Sequence, residues 1–120
     1  IPASVVHIMI RQHYRQKKVD ELPEFIANAI VRYPESKQVL IAKQASFAGH
    51  YDSPKSALSL LKSVESEFSS SIEHMKAIAA TYEQLKDIEM AKHYYQKALA
   101  LAKDQNANQW QLNILQAKIL

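Results

Sequence analysis

The chain has 120 residues, 48% hydrophobic and 22% charged, with 15 Lys and Arg against 12 Asp and Glu for a formal charge of +3. That is one domain's length of chain, with the composition of a soluble globular fold. With no Cys, one Gly and four Pro, it excludes disulfides, thiolate nucleophiles and thiolate metal sites, and it nearly lacks the turn residues a sheet needs.

The opening stretch "SVVHIMI" is too short for a membrane span and lies inside an amphipathic pattern. Val6, Met9, Ile10 and His13 share one face of a first helix, which predicts burial. Ser4, His7, Ile8, Arg11, Tyr14 and Arg15 share another face. Arg11, Arg15, Lys17 and Lys18 have no acid before Asp20. They read as a solvated face with cations near a helix C-terminus, or as a basic partner surface. Leu22, Ile26 and Ala29 mark a second helix, and Pro34 its end.

The third helix, "KQVLIAKQASFAG", admits two registers. Leu40 with Phe47 turns Lys43 and Gln44 inward. Ile41, Ala42, Ala45 and Gly49 form the alternative, which needs a longer turn. The second is preferred, because "DSP" supplies Ser53 as N-cap and Pro54 at the first helical position. Ala57, Leu61 and Val64 mark a fourth helix. "EFSSSIE" is a polar loop ending in a Ser N-cap. Met75, Ile78, Ala79 and Tyr82 mark a fifth helix, Asp87 caps a sixth carrying Ala91, Tyr95 and Ala98, and "NQWQLNILQAKIL" is a seventh, amphipathic through Leu112, Leu115 and Ile119.

The pattern repeats. Met9 to Leu22 spans 13 residues, as does Ile78 to Ala91, and Leu22, Ala57 and Ala91 follow one another at 35 and 34. Three helix pairs result, over residues 3–36, 37–70 and 72–105, with the helix at 108–120 covering the last apolar face. Met75, Ile78-Ala79, Tyr82, Ala91, Tyr95 and Ala98 resemble the signature of the tetratricopeptide repeat family. Lys103 stands where that signature has Pro. The first unit keeps Pro34 but has Ile10, His13 and Leu22 in place of a small residue, an aromatic and Ala.

The resemblance implies an all-α fold, a right-handed α-α superhelix of three hairpins plus a C-terminal capping helix, in a single domain over 1–120. Ala79 and Ala91 would mark the close approach within a hairpin, and Ala98 the room for the next helix. It further implies a protein–protein interaction module, a scaffold or adaptor, whose first helices line a concave groove. That groove would present Ser4, His7, Ile8, Arg11, Tyr14 and Arg15 from the first unit and small groups at Ala45 and Ala48 from the second. The third would add Glu73, Lys76, Ala77, Ala80, Glu83 and Gln84. His7, Arg11, Tyr14 and Arg15 would be the principal contacts for a peptide of acidic character. The family's chaperone-tail clamps hold a carboxylate with a Lys/Asn/Lys/Arg set; the matching places here carry His7, Arg11, Glu73 and Ala77, which argues against that role.

The five His residues sit at no ligand spacing. No Gly-rich phosphate loop and no nucleophile elbow is present. The sequence therefore implies no cofactor, no metal and no catalysis within this stretch. A docking or regulatory segment of a larger enzyme, or of an envelope or secretion assembly protein, is the second reading, and self-association is compatible with both. Interspersed acids and a charge of only +3 argue against nucleic acid. The chain starts at Ile1 and ends in "AKIL", which reads as a segment of a longer protein; cytoplasm and periplasm both fit.

Overall fold

The computed structural model describes residues 3–120, with side chains from Val5 onward. Seven α-helices follow in order: α1 Ala3–Arg15, α2 Leu22–Arg32, α3 Lys37–Tyr51, α4 Pro54–Ser63, α5 Ile72–Gln84, α6 Ile88–Asp104 and α7 Gln109–Ile119. Short 3-10 turns at Val19–Glu21 and Pro34–Ser36 lead into α2 and α3, and no strand occurs among the described residues. The chain divides into two compact units, Ile1–Leu60 and Leu61–Leu120.

Helix ends carry the local logic. Ser53, Ser71 and Asp87 accept backbone N–H groups three residues on, at 3.2, 3.1 and 3.2 Å, as the sequence predicts. Asn108 does the same for Gln111 at 2.9 Å. At the C-termini of α1, α5 and α6 the N–H groups of Lys18, Asp87 and Ala107 reach back to the carbonyls of His13, Tyr82 and Ala102. The residue before each, Lys17, Lys86 or Asn106, sits in the left-handed region at φ 59°, 65° and 56°. This closure satisfies the last free carbonyls of each helix.

In the first unit α1 packs on α2 and α3. The core joins Val6, Ile10 and Tyr14 of α1 to Leu22, Ile26 and Ala29 of α2 and Leu40 and Ala48 of α3. The buried line of α1 thus runs at steps of four, through Tyr14. Met9 and His13, expected inside, are only half-buried. His13 instead donates from Nδ1 to the Met9 carbonyl oxygen at 2.7 Å and lies against Phe25.

The third helix follows neither register alone. Leu40, Ile41, Gln44, Ala45 and Ala48 are all buried, whereas Ala42 and Lys43 are exposed. Covered by α1, this helix buries a broader face than one stripe. Ala45 and Ala48, expected to open into a groove, are therefore interior residues. Gln44 is tolerated because its side chain is hydrogen-bonded to the Tyr14 hydroxyl. A Cβ at Gly49 would lie 3.6 Å from that of Ala57, so α3 and α4 approach closely there.

In the second unit α5 and α6 form an antiparallel pair and α7 packs along α6. Met75, Ile78, Ala79, Ala91, Tyr95, Ala98 and Ala102 are buried. Ala79 and Ala98 have no exposed surface at all, and large side chains there would overpack. His74 is an interior residue, with Nε2 2.8 Å from the Leu61 carbonyl oxygen and its ring against Phe68. From α7 only Leu115 is buried; Leu112 and Ile119 are half-buried, and Trp110 is 73% exposed.

Candidate functional site

The first unit presents an exposed basic face. Arg11 and Arg15 lie one turn apart on α1, and Lys17 and Lys18 extend the charge past its end, all exposed. Ile8 is exposed beside them and His7 is half-buried. Ser4 lies outside the described side chains. Tyr14, expected on this face, is only 9% exposed. Its ring stacks on Tyr51 at 6.0 Å between centroids and 11° between planes, because α3 crosses α1 there. Burial, partly offset by Gln44 and reinforced by the nearby Asp52 carboxylate, pushes the Tyr14 phenol above its ordinary pKa.

Around this pair opens a recess of about 610 Å³ lined by Tyr14, Arg15, Lys17, Val19, Tyr51 and Asp52. Its floor is aromatic, one wall is aliphatic and its rim carries two cations. Asp52 stands on the rim as well, accepting a hydrogen bond from the Ser56 hydroxyl. Sequence marks Lys17 only as part of the basic run with Arg11, Arg15 and Lys18, and it does not single out Val19 or Tyr51. The spacing Lys17–Lys86, at the same turn of the first and third helix pairs, is the signal that could have placed Lys17.

The second unit has a smaller recess of about 280 Å³, lined by Glu73, Lys76, Ala77 and Ala80 of α5, Tyr95 of α6, and Ile114, Leu115 and Lys118 of α7. Four of the six α5 residues assigned to the inward face thus share one recess. Lys76 pairs with Glu73 at 3.5 Å, and Lys118 lies 3.9 Å from Glu83. Glu83 accepts the Tyr95 hydroxyl. Burial and then this carboxylate push the Tyr95 phenol well up. Glu83 does not line the recess itself; it acts as a structural acceptor for Tyr95 and an ion-pair partner of Lys118.

A separate polar cluster joins Lys62, Glu65, Tyr94 and Lys97. The Tyr94 hydroxyl donates to Glu65 at 2.8 Å and accepts from Lys62 at 2.7 Å. The two ammonium groups lie 5.2 and 4.8 Å from the Tyr94 ring centroid. The hydrogen bond to Tyr94 raises the Lys62 pKa. Burial alone would lift Glu65, but the Tyr94 hydroxyl and the Lys62 and Lys97 charges hold it below the ordinary carboxylate value. Every member is partnered within the cluster, so we read it as structural.

Among the described residues no three His, Asp or Glu side chains converge as metal ligands, and no helix is long and apolar enough to cross a membrane. No protein-family model matches this sequence, and none of the curated proteins does.

Proposed function

We propose that this chain is a helical-repeat interaction module of the tetratricopeptide type, a scaffold or adaptor that binds a peptide or a segment of a partner protein. The reading gives it a binding role and no catalytic step. The observation that carries it is the α5–α7 recess, where Glu73, Lys76, Ala77 and Ala80 meet as the repeat register requires of an inward helix face. The left-handed turn residues Lys17 and Lys86, 69 positions apart, support the same register. Two small residues at the floor leave room for a partner backbone, and flanking Glu and Lys side chains offer polar partners.

Affinity capture with the intact chain, followed by variants, tests the reading. Ala77→Arg with Ala80→Arg should block the second-unit recess, and Arg11→Glu with Arg15→Glu should reverse the first-unit face. Arg32→Glu is the control, since Arg32 lies exposed on α2 beside Tyr33. At least one of the first two variants should lose the captured partner while the control keeps it. Full retention by both refutes the assignment.

A further inference from the structure

The charge of this chain is unevenly shared. Residues 1–60 hold eight Lys and Arg against five Asp and Glu, whereas residues 61–120 hold seven of each. The whole formal excess therefore belongs to the first unit. Within it, four cations cluster at Arg11, Arg15, Lys17 and Lys18, and among the described residues none of them has an ion-pair partner within 4.0 Å. This contrasts with Lys62, Lys76, Lys97 and Lys118, each of which faces a Glu in the second unit.

The unpaired cations border apolar surface. Tyr51 is 41% exposed and Val19 43%, both on the recess that Arg15 and Lys17 rim. Ile8 is a further exposed apolar group on α1, one turn before Arg11 and two before Arg15. Arg guanidinium groups bind carboxylates in bidentate fashion, and a stiff tyrosine floor offers contact area at low entropic cost.

We propose that the recess at the end of α1 takes an acidic peptide segment carrying one aromatic or large aliphatic residue, a refinement that rests on the interaction-module reading. The apolar residue lies on Tyr14, Tyr51 and Val19. The flanking carboxylates meet Arg15 and Lys17, with Arg11 one turn further along. Asp52 sets the polarity, because it repels carboxylates from its own side of the rim and confines them to the cationic one. A nucleic acid is the weaker match: the aliphatic groups at Ile8 and Val19 give a ribose-phosphate strand nothing, and Asp52 opposes it.

A displayed library of random short peptides, selected on the intact chain, tests this. Enriched sequences should combine Asp or Glu with an aromatic or large aliphatic residue. A synthetic peptide from that set, followed by fluorescence anisotropy, should bind at least about tenfold more weakly to Arg15→Glu/Lys17→Glu and to Tyr51→Ala. Arg32→Glu should bind as the parent does. Arg15→Gln/Lys17→Gln, which avoids placing acids at a helix C-terminus, should show the same direction of loss, and circular dichroism verifies that each variant is folded. Replacing the peptide's acids by amides should weaken it to a similar degree.

Enrichment of peptides that are not acidic, or that ignore the Arg15 and Lys17 changes, overturns the proposal and leaves the module reading standing. Failure to enrich any peptide sinks both. A single-stranded oligonucleotide that binds through Arg15 and Lys17 more tightly than the selected peptide overturns the proposal in favour of nucleic acid.

Discussion

Leu115→Ala is the most informative stability test. Leu115 is 1% exposed and is the only buried residue of α7. The truncation removes three carbon atoms, a transfer loss of about 2.4 kcal/mol at about 0.8 kcal/mol each. A cavity that does not collapse carries this toward about 3–5 kcal/mol. A competing outcome sets a ceiling. Because Leu112 and Ile119 are only half-buried, α7 can leave its seat, and the loss then cannot exceed the free energy of docking α7. Urea unfolding followed by far-UV circular dichroism gives the loss, and hydrogen exchange over residues 109–119 separates cavity from detachment. Ile114→Ala, at a residue 39% exposed, should cost less than half as much. A loss below about 1 kcal/mol with undiminished protection of α7 would show that this helix does not rest on Leu115.

Ala91→Leu should destabilise by about 1–3 kcal/mol, whereas Lys92→Leu should change the melting temperature little, because Ala91 is buried and Lys92 exposed. Equal melting temperatures would contradict the packing of α5 on α6. Lys17→Gly and Lys86→Gly should each stabilise by up to about 1 kcal/mol in thermal unfolding, since only glycine takes a left-handed φ without a Cβ penalty; destabilisation at both would refute the cap geometry. The lowered Glu65 pKa contributes stability above the ordinary carboxylate range that is lost as pH falls through the folded value. Glu65→Gln should therefore flatten the acid limb of a pH–stability curve. The raised Tyr95 pKa acts oppositely: its contribution is complete below about pH 10 and is lost as pH rises further, so Tyr95→Phe should soften the alkaline limb.

Helix positions were legible because they rest on local rules. Ser53, Ser71 and Asp87 cap as their residue types demand, and Pro54 starts α4 where proline costs nothing. The α5–α6 pair was read correctly because Ala79, Ala91 and Ala98 leave few packing solutions. What failed depended on neighbours distant in sequence. Tyr14 looks like a polar-tipped surface aromatic until Tyr51 and Gln44 arrive from α3. Gln44 looked like a cost of one register, but α1 packed on α3 buries it beside Tyr14, which gives its amide a polar partner. The recess at the end of α1 needed Val19 and Tyr51 beside Arg15, which no single helix face contains. Leu112 and Ile119, read with Leu115 as one apolar stripe, are only half-buried, and Trp110 on the same helix is exposed.

The uneven charge has a kinetic consequence. A molecule whose excess cations sit in one half attracts an anionic partner to that half before any contact is made. Orientation during diffusion then becomes productive more often than chance allows, and the association rate rises above the roughly 10⁵–10⁶ M⁻¹s⁻¹ of unsteered encounters. The attraction reaches only about a Debye length, near 10 Å at 0.1 M salt, so added salt slows arrival while leaving departure almost unchanged. Seven cations matched by seven anions in the other half leave it electrostatically quiet. An anionic partner would thus be turned toward the end of α1 first, whereas a ligand of the α5–α7 recess would arrive by collision alone.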